Sequence, residues 1–219
     1  MFEINIKDLR IKFDKLTTTL VWDKSYGNSF MLKDLINITP DIKVNGPAFV
    51  IETNGDILPV LQALHKIPEN HVLVIKDTGE GNKALLGDIV VKSAKLQNLA
   101  GIIVYGAIRD VDEIPKLGVA VWAKNTVIEA ARLGEVVQEL PESIRIGSAI
   151  ITNGDWMFAD ANGIIGIKKE KIRLVLKSSE LKNRNEKECV ARIEQGERIT
   201  DQMNLENFIN HNECLKVPF

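Results

Sequence analysis

The chain has 219 residues, 45% of them apolar and 26% charged, with a formal net charge of -2. That length suits one domain with a sizeable core and an appendage, and the composition is ordinary for a globular protein. The charge balance argues against a dedicated nucleic-acid surface, no apolar run reaches transmembrane length, and the mixed charges of the opening stretch argue against a signal peptide, so a cytoplasmic protein without membrane contact is expected.

Residues 7–26 read as one or two short helices, with Leu16, Leu20 and Val21 at helical spacing and Gly27-Asn28-Ser29 closing them. From 30 to 47 the chain carries Pro40 and Gly46-Pro47, which predict an irregular connection. Ala48–Thr53 reads as a strand. Asn54-Gly55-Asp56 then turns the chain and caps a helix over Ile57–Ile67, with Ile57, Val60, Leu61 and Leu64 on one face and Pro59 in the first turn. His65 reads as a cation at that helix's end, not a ligand. His71–Lys76 is a second strand. The polar loop at 77–82 follows its carboxyl end and borders a cleft, but it lacks the glycine pattern of a phosphate-binding loop.

The stretch from Lys83 to Glu113 carries the chemistry. Gly87-Asp88 opens a helix that turns Ile89, Val90, Ala94 and Leu96 inward and Lys92 and Lys95 outward. Ala100–Gly106 is a β-branched run bounded by glycines, as a strand buried on both faces should be. Arg109-Asp110 follows it. Unpaired amides at Gly87 and Asp88 attract an anion, and the carboxyl end of a strand is the usual place for a ligand. Helix and strand fold back on each other, so Asp88 and Arg109-Asp110 meet at one cleft. Two carboxylates there suit a hard cation such as magnesium, and the guanidinium suits a carboxylate or a developing oxyanion. A plainer reading fits the same residues: Asp88 as a helix cap, and Asp110 with Glu113 as a capping box.

Val119–Ala123 is the next strand, with Lys124 at its carboxyl end. Lys124 and Arg132 are basic residues that either reach the cleft or are solvated surface charges. Gly134–Leu140 alternates weakly as a strand, and Ser148–Ile167 gives short strands broken by Asn-Gly turns. Thr-Asn-Gly-Asp occurs at Thr53–Asp56 and again at Thr152–Asp155; the flanks differ, so this is repeated turn chemistry and not an internal repeat. Beyond Lys168 the chain is more charged and helical, with Val190 and Ile193 a thin apolar stripe up to the break at Gly196. So thin a stripe predicts packing on the body or on a neighbouring subunit. Cys189 and Cys214 form no Cys-x-x-Cys pair and read as free thiols, which argues against a zinc site.

Asp88, twenty residues, Arg109-Asp110 and then Glu113 resemble the signature of the RraA-like family, which includes regulators of ribonuclease activity and divalent-metal-dependent class II pyruvate aldolases. Leu16–Asp23, Asn54–Val60, Gly154–Asp160 and Asn162-Gly163-Ile164 also resemble that family, over roughly residues 5 to 168 in all. The resemblance implies an α/β protein with a swivelling β/β/α-type domain at 1–168 and a helical extension at 169–219, assembled as a homotrimer or hexamer. It implies a lyase that cleaves 4-hydroxy-2-oxo acids such as 4-hydroxy-4-methyl-2-oxoglutarate, or decarboxylates oxaloacetate, to give pyruvate. Asp110 would then bind a magnesium or manganese ion, and Asp88 would hold its waters. The backbone of Gly87, Asp88, Ile89 and Val90 would take the substrate carboxylate, and Arg109 the 2-oxo oxygen. In aldolase members a comparable tail carries an acidic residue to a neighbour's metal site, for which Glu186, Glu188 and Glu194 are candidates. The other implied class is a non-catalytic regulator that binds a ribonuclease or helicase.

Overall fold

The computed structural model describes residues 5–211 and 213–217. In chain order it contains α1 (Ile6–Phe13), α2 (Thr18–Asp23), β1 (Ser29–Leu32), β2 (Ile36–Asn37), β3 (Val44–Thr53), α3 (Leu58–Lys66), β4 (Val72–Asp77), α4 (Asp88–Leu96) and β5 (Gly101–Ile108). A 3-10 turn at Ile114–Leu117 precedes β6 (Val121–Thr126), β7 (Ser143–Ile146), β8 (Ala149–Thr152), β9 (Trp156–Asp160) and β10 (Gly163–Ile167). A second 3-10 turn, Lys169–Lys171, leads to α5 (Ile172–Glu194), α6 (Ile199–Gln202) and α7 (Leu205–His211).

One eight-stranded sheet runs in the order β1-β10-β9-β3-β4-β5-β6-β2. Its centre, β3 to β6, is parallel, and the flanking pairs are antiparallel. Central strands covered on both faces must be apolar on both faces. Val50, Val74 and Ile103 point to one core, and Ile51, Ile75 and Ile102 to the other. Helices α3 and α4 cover the second of these, with Val60, Leu64, Val91 and Ala94 in it. The β7–β8 hairpin covers the first with Ile144, Ile146 and Ile151. A third cluster joins Phe13, Val21, Trp156 and Phe158 to Ile172, Val175 and Leu176. The first turns of α5 therefore share a core with the body.

Residues 30–47 are not an irregular connection. Phe30 to Leu32 pair with β10, Ile36 and Asn37 pair with β6, and β3 begins at Val44. Gly46-Pro47 lies inside β3, where the strand changes neighbours. Val44–Pro47 pair only with β9, and pairing with β4 starts at Ala48. The Ala48 amide donates to Asp155 on the β9 side, so the position of Pro47 that lacks an N–H faces the side where no strand is yet paired. Only tertiary pairing makes a proline acceptable there.

Two further expectations change. Ile89 and Leu96 of α4 are 75% and 85% exposed, and the buried residues are Val90, Val91 and Ala94. The helix is rotated by about one residue because Leu85 and Leu86, just before it, already fill the core beneath its start. Likewise Leu61 of α3 is exposed and Ala63 buried. Gly134–Leu140 forms no strand. Its backbone is held by side chains: the Gly134 amide donates to Asp56 (2.9 Å), and Gln138 exchanges hydrogen bonds with Gln62 (3.0 and 3.3 Å). No helix among the described residues is long and apolar enough to cross a membrane.

Candidate active site

The carboxyl end of β5 is irregular. Its register with β6 shifts between Val104 and Ala107. A strip of chain from Ala84 to Leu86 lies alongside β5 there: the Leu85 amide donates to Ala107 (2.9 Å), and the Arg109 amide donates to Leu86 (3.1 Å). On its other side the same strip exchanges hydrogen bonds with Glu129 and Ala131, at 2.8 and 2.9 Å. Gly87 and Asp88 follow the strip directly, and Arg109 and Asp110 follow β5 directly. Backbone pairing across 84–86 is therefore what sets the two ends of the motif side by side.

The first turn of α4 has no cap of its own, because its N-cap residue is Gly87. The Asp110 carboxylate stands in for one: the Asp88 amide donates to Asp110 Oδ2 at 3.3 Å. Arg109 Nε lies 3.6 Å from the same oxygen. A Cβ on residue 87 would lie 2.1 Å from that oxygen, so this approach requires glycine. Asp110 has φ +60, a left-handed conformation that Asp tolerates better than most residues. The expected capping box at Asp110–Glu113 does not form with that carboxylate. Asp110 supplies its carbonyl to Glu113 and Ile114, its side chain turns to α4, and Glu113 pairs with Lys116 at 2.8 Å.

Asp88 faces Lys92 one turn along, at 2.5 Å. That hydrogen bond holds the Asp88 carboxyl below the usual carboxylate range and pushes the Lys92 ammonium up. Lys92 also feels the charges of Glu113 and Asp110. Reading Lys92 only as an outward residue missed this contact, although an Asp and a Lys four apart are a recognisable helix pair. Ile89 and Val90 complete the first turn, the first exposed and the second buried. Lys124 does not join this group in the described contacts: its ammonium lies over the Tyr105 ring, 4.5 Å from the centroid.

A cleft of about 610 Å³ opens at the carboxyl ends of β3 and β4, lined by Asn54, Asp77, Gly79, Lys83 and Arg132 among others. The polar loop at 77–82, expected beside Asp88 and Arg109-Asp110, borders this cleft, pinned by Asp77 Oδ1, which accepts from the Gly55 and Gly79 amides at 3.0 Å each. Neither Asp88 nor Asp110 lines it. Among the described residues no three Asp, Glu, His or Cys side chains gather into a metal cage. Magnesium does not need one, since it keeps several waters and is held by one or two carboxylates plus substrate oxygens. Asp110 and Asp88 fit that donor chemistry, and a substrate with adjacent oxygens would supply the rest.

The family model of Aldolase/RraA proteins matches residues 17–165. A protein of Halalkalibacterium halodurans, provisionally named 4-hydroxy-4-methyl-2-oxoglutarate aldolase, is 29% identical over 176 residues, which are 80% of this chain and 83% of that one. An uncharacterized protein from Pseudomonas syringae pv. tomato superposes with a TM-score of 0.80 at 18% identity, over 92% of this chain and 95% of that one. RraAS2 from Streptomyces coelicolor, described as an unusual member of the RNase ES inhibitor RraA protein family, superposes with a TM-score of 0.72 at 23% identity, over 85% and 98% of the two chains. The two structural likenesses establish the α/β fold with its mixed sheet and long C-terminal helix.

Proposed function

Because the chain belongs to the Aldolase/RraA family, we propose that it is a divalent-metal-dependent carbon–carbon lyase that releases pyruvate from a 4-hydroxy-2-oxo acid or from oxaloacetate. The observation that carries this reading is the meeting of the Asp88 amide at the start of α4, the Arg109 guanidinium and the Asp110 carboxylate at one point. In this reading Asp110 holds a magnesium or manganese ion and Asp88 orients its waters. When bound, the metal supplies Lewis-acid stabilisation of negative charge on the substrate.

The chain's own groups do the rest. Backbone amides at Gly87, Asp88, Ile89 and Val90 receive the substrate's carboxylate at the positive end of α4. Arg109 donates to the 2-oxo oxygen. As the C3–C4 bond of a 4-hydroxy acid breaks, the C4 hydroxyl gives its proton to solvent water and becomes a carbonyl. The electron pair moves onto the pyruvyl half, and Arg109 meets the charge gathering on the enolate oxygen. A proton then returns to C3. With oxaloacetate the bond to the 4-carboxylate breaks, carbon dioxide leaves, and the same enolate forms.

Assembly belongs to this reading. Ile128, Val136, Val137, Ile89 and Leu96 are exposed apolar side chains on or near the segments that build the site, and Val190 and Ile193 are half exposed on α5. Patches of that kind are covered by partner chains in stable oligomers. A homotrimer or hexamer would cover them, with α5 or the segment after it reaching a neighbour. Glu188 and Glu194 are exposed there, while Glu186 already pairs with Lys182 at 3.4 Å. Light scattering at micromolar protein should report three or six chains.

The deciding experiment is pyruvate release from a panel of 4-hydroxy-2-oxo acids and from oxaloacetate, with and without magnesium or manganese. Arg109→Lys keeps a positive charge and loses the planar fork, so turnover should fall about a hundredfold with a smaller change in KM. Metal-dependent release insensitive to Arg109 would remove the catalytic reading and favour a binding protein of the ribonuclease-regulator kind.

A further inference from the structure

We propose that Asp110 is a built-in competitor of the substrate's carboxylate: its side chain leaves the Asp88 amide at the start of α4 only when a divalent cation draws it away. This rests on the lyase reading above and adds an order of events to it. A single oxygen, Asp110 Oδ2, lies 3.3 Å from the Asp88 amide and 3.6 Å from Arg109 Nε. Those are two of the donors that the proposed reaction assigns to substrate. The seat is open to Asp110 because residue 87 is glycine, and the left-handed backbone at Asp110 aims the carboxylate back toward it. An arriving anion would meet an occupied donor and a like charge together.

The contact is also one that can be given up. It is a single long hydrogen bond and a loose ion pair, and the Asp110 side chain is 38% exposed, so water receives the carboxylate readily when it turns away. A cation that binds Asp110 takes its charge off the Asp88 amide and uncovers Arg109. Cation and carboxylate ligand then strengthen each other's binding by equal factors. That coupling comes from relief of the internal contact, in addition to any bond between cation and ligand.

The test uses the full chain stripped of divalent cations on a chelating resin, with oxalate as the probe and calorimetry as the readout. Asp110→Gly removes the competitor and suits a φ of +60. Its metal-free affinity for oxalate should exceed that of the wild type by about tenfold, the scale of one charge at a helix start. Asp110→Asn keeps the shape and loses the charge, and should gain less in the same direction. Equal or weaker oxalate binding by both variants would overturn the proposal. A second measurement needs no variant: adding magnesium alone to the wild type should speed exchange of the Asp88 amide proton, and unchanged or slower exchange counts against the competitor. Pyruvate release by the magnesium-loaded wild type reports on the lyase reading separately. Release without a gain in Asp110→Gly discards the competitor and keeps the lyase, and a gain without release does the reverse.

Discussion

Asp155 and Asp160 bracket β9, and they are 1% and 8% exposed; Asp88 and Asp110 lie at the start of α4 and the end of β5, with side chains 23% and 38% exposed. The first two are surrounded by donors. Asp155 accepts from the Thr152 and Lys169 amides, both at 3.0 Å, and from the Lys168 ammonium at 2.8 Å. Asp160 accepts from the Thr18 amide and hydroxyl at 2.8 and 2.7 Å and from Asn162 at 2.9 and 3.1 Å. The second pair is more thinly held: one 3.3 Å hydrogen bond and a 3.6 Å ion pair for Asp110, and Lys92 with the Ile89 amide for Asp88. Donors that saturate a buried carboxylate make it a structural tie. A carboxylate left with spare lone pairs at a strand's end is free to bind something else.

That contrast can be pressed by mutation. The largest effect on stability is expected for Asp155→Ala, which leaves the part-buried Thr152 and Lys169 amides without their acceptor and takes from the Lys168 ammonium its carboxylate partner. A loss of about 3 kcal/mol in urea unfolding is the expected scale. Asp160→Asn keeps part of its hydrogen bonding and should lose about 1.5 kcal/mol.

The same residue gives a pH signature. Burial opposes ionisation of Asp160, but hydrogen bonds from Thr18 and Asn162 outweigh it and hold the carboxyl below its usual range. The folded value lies under the unfolded one of about 3.9, so its contribution is complete above about pH 4 and fades as pH falls through the lower folded value. Acid unfolding followed by fluorescence should show a shallower slope in Asp160→Asn than in the wild type.

At the alkaline end Lys182 supplies a smaller counterpart. Its hydrogen bond with Asp23, at 2.5 Å, pushes the ammonium above its usual range and ties α5 to α2. That contribution is whole below the unfolded value of about 10.4 and is lost as pH rises through the higher folded value. Lys182→Met should flatten the alkaline limb of the stability profile. The smallest change in stability is expected for Asp110→Asn, whose thermal unfolding should match the wild type while metal-dependent pyruvate release is abolished. Marked destabilisation by Asp110→Asn would erase the distinction between the two pairs of aspartates.

The two Thr-Asn-Gly-Asp tetrapeptides show how far local sequence reaches. Both make tight turns with glycine at positive φ, +61 at Gly55 and +89 at Gly154. In the first, Asp56 accepts from the Leu58 amide at the start of α3 and from Gly134, so it fastens the segment that crosses the carboxyl edge of the sheet. In the second, Asn153 accepts from the Val50 amide and Gly154 donates to Ala48, so the turn is fastened to β3. Turn geometry was readable in four residues. The partners lie about 80 to 100 residues away in three of these four contacts and were not readable.

What the sequence determined by itself follows from short-range physics. Apolar, β-branched runs became the central strands, the Asn-Gly pairs at 54–55, 153–154 and 162–163 became turns, and Asp88 with Arg109-Asp110 marked the two ends of one unit that folds back on itself. Tertiary structure decided the rest. Leu85 and Leu86 occupy the core beside Val90, Val91 and Ala94 and leave Ile89 and Leu96 outside, neighbouring strands made β1, β2 and the Gly46-Pro47 part of β3, and long-range side chains held 134–140 without a strand. It also turned the Asp110 carboxylate away from its own 3-10 turn and onto the Asp88 amide at the start of α4. An exposed carboxylate has several donors within reach of its rotamers, and only the pairing of 84–86 with the end of β5 places the Asp88 amide among them.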